Sequence, residues 1–348
     1  MTYLEYAATN PFTKYPCSKY GQFLNPNANY AYKERKVLMD CDERIKAAID
    51  AKDGHVLYFR CATDALEWLH SEGNKCMMAW AHSPYEHDAA VFGIESKQDE
   101  LVDTDFYCHQ LVNQLTGQIH DIKAVYEQLS LCYYGGPFLI CDCVAAIHHI
   151  SLRESNVCQY ADAVVTSGHK YGCPDIAFMW IDDRLFNWLG GNKDIRNQWG
   201  LKHGSISVGH VLALTDAVEW ACDSEQIDAN EWHYTNLNVR LNAELDNAGI
   251  KHEWIGDGDD QIAAISAIRL NGLNADALQQ YLATKQIYVG IGHSSCAEDA
   301  DYRVLKAYGL TEQEASEVIR VSFGDETTEH DLDEFVNGII EYKEKFVR

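Results

Sequence analysis

The sequence predicts an α/β fold with a largely parallel β-sheet, because short strand-like segments alternate with helical patterns. The strand-like segments are rich in Val, Ile, Phe, Tyr and Trp, and polar or glycine-containing turns bound them. They cover residues 55–60, 76–81, 106–113, 138–142, 163–166 and 176–181, and helical patterns at 62–72 and 121–131 separate several of them. Ligands of such sheets bind beyond the carboxyl ends of the strands, which is where we look for functional residues.

The length of 348 residues fits one large domain and one smaller domain. A long helical pattern at 208–247 could leave the first domain and enter the second, so we place a boundary near residue 226. Another strand–helix alternation follows and ends in a predicted helix at 329–345. No internal repeat or proline-rich linker is visible.

The composition narrows the function classes. The formal net charge of −25 disfavours direct binding to nucleic acid, since such a chain repels phosphate backbones. No apolar run approaches the length of a bilayer span, and the first residues lack a secretory pattern. We therefore expect a cytoplasmic protein whose 12 cysteines are reduced thiols. The acidic surface serves solubility or docks a basic partner.

Lys170 is the first candidate for chemistry. It follows the strand-like segment 163–166 within Thr-Ser-Gly-His-Lys-Tyr-Gly-Cys-Pro, a stretch of small and polar residues. A lysine in such a pocket can be desolvated, which lowers its pKa and makes the amine nucleophilic toward an aldehyde. A lysine taken alone is more often a surface residue.

Three further features lie after strand-like segments. Asp142 ends FLICD, where a buried carboxylate needs a partner such as the ring nitrogen of pyridoxal 5′-phosphate (PLP), although it could also cap a turn. The segment that begins at Arg60 opens a helix, whose N-terminal amides and Thr63 hydroxyl could bind phosphate or form an ordinary N-cap. His87 could stack on a flat ring, shuttle protons or be a surface residue.

In this order and at these spacings, the segments resemble the cysteine desulfurase group of the class V aminotransferase-like, fold-type-I PLP enzymes. The resemblance runs nearly end to end. YLEYAATNP resembles the family's YLDYAATTP, YEHDAAV resembles EH-x-x-V, and LVNQLTGQIHDI resembles H-V-N-N-E-x-G-x-x-Q-D-I. SGHKYGCPDIAFMW resembles SGHK-x-x-GPKG-x-G-x-L, IGHSSCAE resembles the SGSAC loop, and IRVSFGDETTEHDLD resembles IRFSLG-x-x-TTEEEID.

The resemblance implies a domain organisation and a set of roles. We expect a large PLP-binding domain over 12–226 with a mostly parallel seven-stranded sheet, and a smaller α+β domain formed by 1–11 and 227–348. Lys170 would carry the cofactor as a Schiff base, Asp142 would pair with the pyridinium and His87 would stack on the ring. The implied phosphate ligands are Ala62, Thr63, Ser167 and His169, with Ser205 reaching the phosphate of the neighbouring subunit in a homodimer with shared active sites. Arg320 would bind the substrate carboxylate, with Asn113 or Gln114 nearby.

The resemblance also implies a reaction. L-cysteine would become L-alanine, with a persulfide formed on Cys296 and later passed to a sulfur-acceptor protein. Cys296 lies in a Gly/Ser-rich loop-like stretch, where a thiol can be exposed and partly ionised. The alternative is a loop cysteine without chemistry. We expect no metal, because Cys141 and Cys143, which flank Asp142 ahead of a His pair, are better interpreted as packed strand cysteines than as zinc ligands.

Four departures from the family pattern, three at single positions and one in the length of a segment, keep a second reaction open. Ala145 replaces a glutamine that contacts the cofactor, Gln114 replaces an asparagine, and Asp325 replaces an arginine. The segment after Cys296 is also shorter than in many relatives. A PLP-dependent lyase or decarboxylase acting on another amino acid, or on an amino-acid-modified metabolite, would keep Lys170 and need no Cys296. A non-catalytic scaffold of this fold is a third interpretation, which the joint presence of Lys170 and Asp142 disfavours.

Overall fold

A computed structural model describes residues 1–96, 104–132, 136–194, 198–256, 260–293 and 302–347. Within these ranges the chain forms two compact units. The larger unit contains Pro11–Leu111 and His120–Ile227, and the smaller unit contains Met1–Asn10, Val112–Ile119 and Asp228–Arg348. None of the described helices is long and apolar enough to cross a membrane.

The larger unit is built on a seven-stranded sheet, which confirms the predicted α/β class. Its strands are β2 (His55–Phe59), β3 (Trp80–His82), β4 (Ile94–Glu95), β5 (Phe106–Gln110), β6 (Phe138–Asp142), β7 (Ala163–Ser167) and β8 (Ala177–Ile181), in the order β2-β8-β7-β6-β5-β3-β4. Among the described strands, β8 runs antiparallel to both of its neighbours, β2 and β7, and the other pairs are parallel. The residues of β2, β5, β7 and β8 are buried throughout, as expected for strands covered on both faces.

Helices accompany this sheet. They are α1 (Tyr32–Ala48), α2 (Ala62–Lys75), α3 (Ile122–Cys132), α4 (Val157–Tyr160), α5 (Asp183–Trp188) and α6 (Val208–Ala221). The helix α7 (Ser224–Asn247) begins in the larger unit and continues in the smaller one. The core beneath α2 joins aliphatic residues of the central strands to aromatic rings, including the stacked pair Trp80 and Phe106.

The smaller unit is an α+β layer. The strands of its sheet are β1 (Thr2–Leu4), β9 (His252–Ile255), β10 (Ile265–Leu270), β11 (Ile287–Ile291) and β12 (Val318–Ser322). Their order is β1-β11-β12-β10-β9, and among these described strands the β1–β11 pair is parallel and the other three pairs are antiparallel. The helices are α8 (Ala275–Thr284), α9 (Arg303–Ala307), α10 (Glu312–Ala315) and α11 (Glu329–Phe346).

Several predicted bounds are wrong for identifiable reasons. The strand expected at 76–81 begins at Trp80, because the amides of Cys76 and Met77 close the end of α2 on Gly73 and Asn74. The strand expected at 106–113 ends at Gln110. The single helical pattern at 208–247 is two helices, and the Asp223 carboxylate caps the second by accepting from the Gln226 amide at 3.0 Å.

The segment Val112–Ile119 belongs to the smaller unit, whereas the sequence prediction left it in the large domain. Backbone pairing explains this position, since Ile119 donates to the Asp260 carbonyl at 2.7 Å and Ile262 donates to the Gly117 carbonyl at 3.0 Å. Gly117 has φ +77°, and a Cβ there would lie 2.4 Å from the Ile265 carbonyl oxygen. Only glycine fits so close an approach of two backbones.

Candidate active site

Lys170 emerges from a tight loop at the carboxyl end of β7. The loop closes on itself, because Gly168 donates to the Ile176 carbonyl at 2.9 Å and Cys173 donates to the Gly168 carbonyl at 3.0 Å. A Cβ on Gly168 would lie 2.9 Å from that Ile176 oxygen, so the turn requires glycine. Lys170 is half-buried at the end of this loop. The backbone therefore fixes the point from which its amine enters the site.

Asp142 ends β6, the strand next to β7, and is buried. Its Oδ1 atom accepts from the Val144 amide at 2.8 Å. Burial raises the pKa of Asp142 to about 6, while the Val144 amide and the positive charge of Lys170 act in the opposite direction. Lys170 is thus within electrostatic reach of a buried carboxylate that a cationic partner would stabilise. A protonated pyridine nitrogen fits this requirement.

The Glu86–His87 turn follows β3 and is anchored on β5. Glu86 is fully buried, and its Oε1 atom accepts from the Gln110 amide at 2.7 Å. His87 is exposed, and its Nδ1 atom accepts from the Ala89 amide at 3.1 Å. A neutral His87 ring therefore carries its proton on Nε2. The buried carboxylate holds the turn that presents this imidazole.

The buried His109 lies beside Glu86, and the half-buried His120 lies next to His109; the sequence analysis did not single out either histidine. Burial lowers the pKa of His109 to about 3, with a further decrease from His120, and lowers the pKa of His120 to about 4. Their ring centroids are 4.9 Å apart, and the Nδ1 atom of His109 is 3.7 Å from Glu86 Oε1. Both rings are neutral near pH 7. The sequence signal for His109 was a polar side chain within the apolar residues of β5, and His120 lies in the quoted segment LVNQLTGQIHDI.

The start of α2 could hold a phosphate group. Ala62 and Thr63 are its first residues, and the Cys61 side chain caps the Asp64 amide. The N-terminus of a helix this long attracts anions through its amides and dipole. Lys202, which the sequence analysis missed, places its Nζ atom 3.8 Å from an Asp64 carboxylate oxygen. A cation therefore lies at the same helix end.

The other expected phosphate ligands have different environments. Ser167 is fully buried, and its hydroxyl is 2.9 Å from the Nδ1 atom of His169. Burial lowers the pKa of His169 to about 4, and the charge of Lys170 adds to this effect. A neutral His169 would leave one ring N–H as a donor. Ser205 is exposed and donates to the Asn25 side chain at 3.4 Å.

The expected substrate residues belong to the smaller unit. Arg320 lies on β12 and donates through Nη1 to the Gln114 backbone carbonyl at 2.9 Å and through Nη2 to Glu5 Oε1 at 2.5 Å. Asn113 is fully buried, and its side-chain oxygen accepts from the amides of Leu115 and Thr116, both at 2.9 Å. Asn113 therefore closes the turn that presents the Gln114 carbonyl to Arg320.

Cys296 lies outside the described residues. The described chain stops at His293 and resumes at Tyr302, and the two rings contact each other edge-on with centroids 5.4 Å apart. The Nε2 atom of His293 is 3.1 Å from a carboxylate oxygen of Asp276. The two described residues on either side of this segment therefore lie next to each other.

The cysteines on either side of Asp142 face each other. The sulfur atoms of Cys141 and Cys143 are 3.7 Å apart, and burial raises the pKa of both thiols. The His148 ring stacks on Trp220 with centroids 4.2 Å apart. No group of three or more His, Cys, Asp or Glu side chains in the described ranges is arranged to hold a metal ion.

Before any relative is considered, the described residues show an α/β fold with Lys170 and the buried Asp142 at the ends of neighbouring strands, the arrangement that the sequence predicted for a cofactor site. A family model described as aminotransferase class-V matches residues 94–335, which is more than half of the chain. The chain belongs to the class V aminotransferase family.

Individual relatives agree with this assignment. A putative cysteine desulfurase NifS from Halalkalibacterium halodurans is 23% identical, over 97% of this chain and 96% of the relative. A cysteine desulfurase IscS from Shewanella frigidimarina is 27% identical, over 67% of this chain and 56% of the relative. The solved structure of a NifS-like protein from Rickettsia africae superimposes with a TM-score of 0.81 at 17% identity, covering 99% of both chains. At that identity the structural similarity supports the fold.

Proposed function

We propose that this chain is a PLP-dependent cysteine desulfurase, which converts L-cysteine to L-alanine and retains the sulfur as a persulfide. The observation that carries the proposal is the pair formed by Lys170 and Asp142 at the ends of β7 and β6. The family assignment and the names of the NifS and IscS relatives support it.

The residues of the larger unit would hold the cofactor. When bound, PLP supplies an electron sink for carbanionic chemistry at the substrate. Lys170 would link to its aldehyde and then move protons through Nζ, Asp142 would keep the ring nitrogen protonated, and His87 would lie against the ring. The backbone amides of Ala62 and Thr63 at the start of α2 would hold the phosphate together with four side chains, those of Thr63, Ser167, His169 and Lys202.

The residues of the smaller unit would handle the substrate. Arg320 would bind the carboxylate of L-cysteine, with Gln114 beside it. The Cys296 thiolate would attack the substrate sulfur, forming an S–S bond while the substrate C–S bond breaks. The products are L-alanine and a Cys296 persulfide, whose outer sulfur then passes to an acceptor protein.

We also infer a homodimer acting in the cytoplasm. Four large apolar side chains within a short segment of the larger unit are solvent-exposed: Leu24, Tyr30, Tyr32 and Met39. Arg35 orders this segment by donating to the Pro26 and Asn29 carbonyls, each at 3.2 Å. Clustered apolar exposure of this kind supports a protein interface. In the dimer, Ser205 would reach the cofactor phosphate of the partner subunit.

The departures at Ala145 and Gln114 favour a second candidate. A PLP-dependent lyase or decarboxylase acting on another amino acid would keep the Lys170 and Asp142 pair but would not need Cys296. Ala145 follows Asp142 by three residues and has a methyl group where the family pattern has an amide. Both candidate reactions act on a substrate with an α-amino group.

One set of assays tests the cofactor and the reaction. Protein incubated with PLP should absorb visible light, and Lys170→Ala should remove the band, while Lys75→Ala, an exposed lysine, keeps it. With L-cysteine and a thiol reductant, the holoenzyme should form L-alanine and sulfide in equal amounts. Cys296→Ser should abolish sulfide release, whereas Cys76→Ser, an exposed cysteine, should not.

The outcomes separate the candidates. A colourless protein that takes up no PLP contradicts the cofactor assignment. Sulfide release that survives Cys296→Ser contradicts the persulfide route. If L-cysteine is not consumed and a screen of amino acids finds release of CO2 or another elimination product, the lyase or decarboxylase replaces the desulfurase.

A further inference from the structure

Glu5 and Arg320 meet over a glycine in the sheet of the smaller unit. Leu4 pairs with Val289 of β11, and Gly290, the next residue, pairs with Arg320 of β12. A Cβ at Gly290 would lie 2.5 Å from Glu5 Oε2 and 2.8 Å from Arg320 Nε. The carboxylate and the guanidinium therefore occupy the space that a side chain at position 290 would fill.

The pair is largely shielded from water. The side chains of Arg320 and Glu5 are only 13% and 19% exposed. An ion pair in such a place is screened less by solvent than a surface pair. The Gln114 carbonyl holds Arg320 Nη1 from another direction. Two acceptors on different nitrogen atoms fix the plane of the guanidinium.

Arg320 retains hydrogen-bonding capacity after these contacts. A guanidinium has five N–H donors, and the contacts described above use two of its three nitrogen atoms. Arg320 Nε, Glu5 Oε2 and Gln114 Oε1 are buried and have no hydrogen-bond partner within the described part of the chain. Buried polar atoms of this kind are usually satisfied, so Arg320 Nε requires an acceptor such as a carboxylate oxygen, whereas the Glu5 and Gln114 oxygens require a donor such as water.

We propose that Glu5 is a positioning residue for carboxylate recognition by Arg320. Glu5 holds the guanidinium in one orientation over Gly290 and leaves the remaining donors to bind a carboxylate. Because the arginine is fixed in advance, less side-chain freedom is lost when the ligand binds. This inference rests on the role that the proposed function gives to Arg320, and it assigns to Glu5 and Gly290 the task of orienting it.

The test compares two ligands on the PLP-loaded protein. L-alanine has the carboxylate, whereas L-alaninamide has the same amine and side chain without it. Glu5→Gln should raise the dissociation constant of L-alanine about tenfold, as expected for loss of a charge-assisted contact that orients a bidentate donor, and leave that of L-alaninamide unchanged. Glu5→Asp, which keeps a carboxylate, should bind L-alanine nearly as tightly as the wild type. For L-cysteine turnover, KM should rise more than kcat falls.

Two further variants make the result specific. Gly290→Ala keeps both charges but inserts a methyl group between them, and it should also weaken L-alanine selectively. Arg320→Gln should remove the preference for L-alanine over L-alaninamide altogether. If Arg320→Gln leaves that preference intact, Arg320 does not bind the carboxylate and the inference falls.

The remaining outcomes are equally decisive. Unchanged or tighter L-alanine binding in Glu5→Gln overturns the positioning role, as does equal weakening of both ligands, which would indicate a purely structural contact. If Glu5→Gln discriminates between the two ligands but L-cysteine is not desulfurated, the positioning role stands and the proposed reaction falls.

Discussion

At the scale of single residues, Asp142 shows how burial perturbs a carboxyl group and couples its ionisation to stability. Its pKa rises from an ordinary value of 3.8 to about 6, mainly through burial. The folded chain therefore favours the protonated form. This preference contributes fully to stability below pH 3.8 and is lost as the pH rises through 6. At pH 8, the Asp142 carboxyl group of the cofactor-free protein is ionised while buried, which lowers the stability of the folded state.

We expect Asp142→Asn to stabilise the cofactor-free protein at pH 8 by about 1–3 kcal/mol, since the pKa shift corresponds to about 3 kcal/mol at most. The asparagine oxygen can still accept from the Val144 amide. Urea unfolding measures the difference, which should shrink toward pH 4. Asp228→Asn, which removes the same charge at an exposed position, is the control and should leave the free energy of unfolding at pH 8 close to that of the wild type. A variant that is less stable than the wild type at pH 8 would contradict this account.

At the scale of secondary-structure elements, α8 shows how a local signal and a buried face together place a helix. Asn274 precedes the helix, and its side-chain oxygen accepts from the Ala277 amide at 2.9 Å. Ala275, Leu278 and Leu282 are buried on one face, at spacings that match the helical period. The cap satisfies an amide that the helix itself leaves unpaired.

Asn274→Ala should lower the free energy of unfolding by about 1 kcal/mol, because the Ala277 amide loses its acceptor while no buried contact changes. The midpoint of urea unfolding reports the effect. Asn274→Asp, which retains a capping oxygen, serves as the matched variant and should remain close to the wild type. Equal midpoints for the alanine and wild-type proteins would show that water replaces the cap without cost.

At the scale of the whole molecule, the negative charge opposes association between copies of the chain, whereas an exposed apolar segment favours it. The net charge of −25 keeps copies of the chain apart unless a specific apolar contact overcomes the repulsion. The segment with Leu24, Tyr30, Tyr32 and Met39 is the candidate for that contact in the proposed homodimer. Higher salt should favour association by screening the repulsion.

Tyr30→Glu combined with Met39→Glu should convert the dimer to a monomer, because charges would replace apolar side chains at the contact. Light scattering after size-exclusion chromatography measures the mass. Trp232→Glu is the matched control, since Trp232 and Tyr30 are each 72% exposed but lie in different units. A wild-type protein with the mass of one chain, or a double variant that stays dimeric, would refute this interface.

Much of the larger unit follows from local pattern. Alternating apolar strands and helices predicted the sheet. The predicted strand ends then placed Asp142 and Lys170 at the carboxyl ends of two strands of that sheet. Strand ends were less predictable, as at Cys76–Ala79, where the end of α2 takes residues with strand-like composition. The composition of a short segment therefore does not determine whether a boundary residue belongs to the helix before it or to the strand after it.

The sequence by itself determined the fold class, the family resemblance and the candidate cofactor residues, because these depend on patterns within short segments. Only the tertiary structure paired Glu5 with Arg320, which lie 315 positions apart in the chain. It also showed that the two side chains occupy the space that a side chain at Gly290 would fill. It also moved Val112–Ile119 into the smaller unit and buried Glu86 beside His109. Strand pairing and burial decide these contacts, and both depend on residues that lie far apart in the chain.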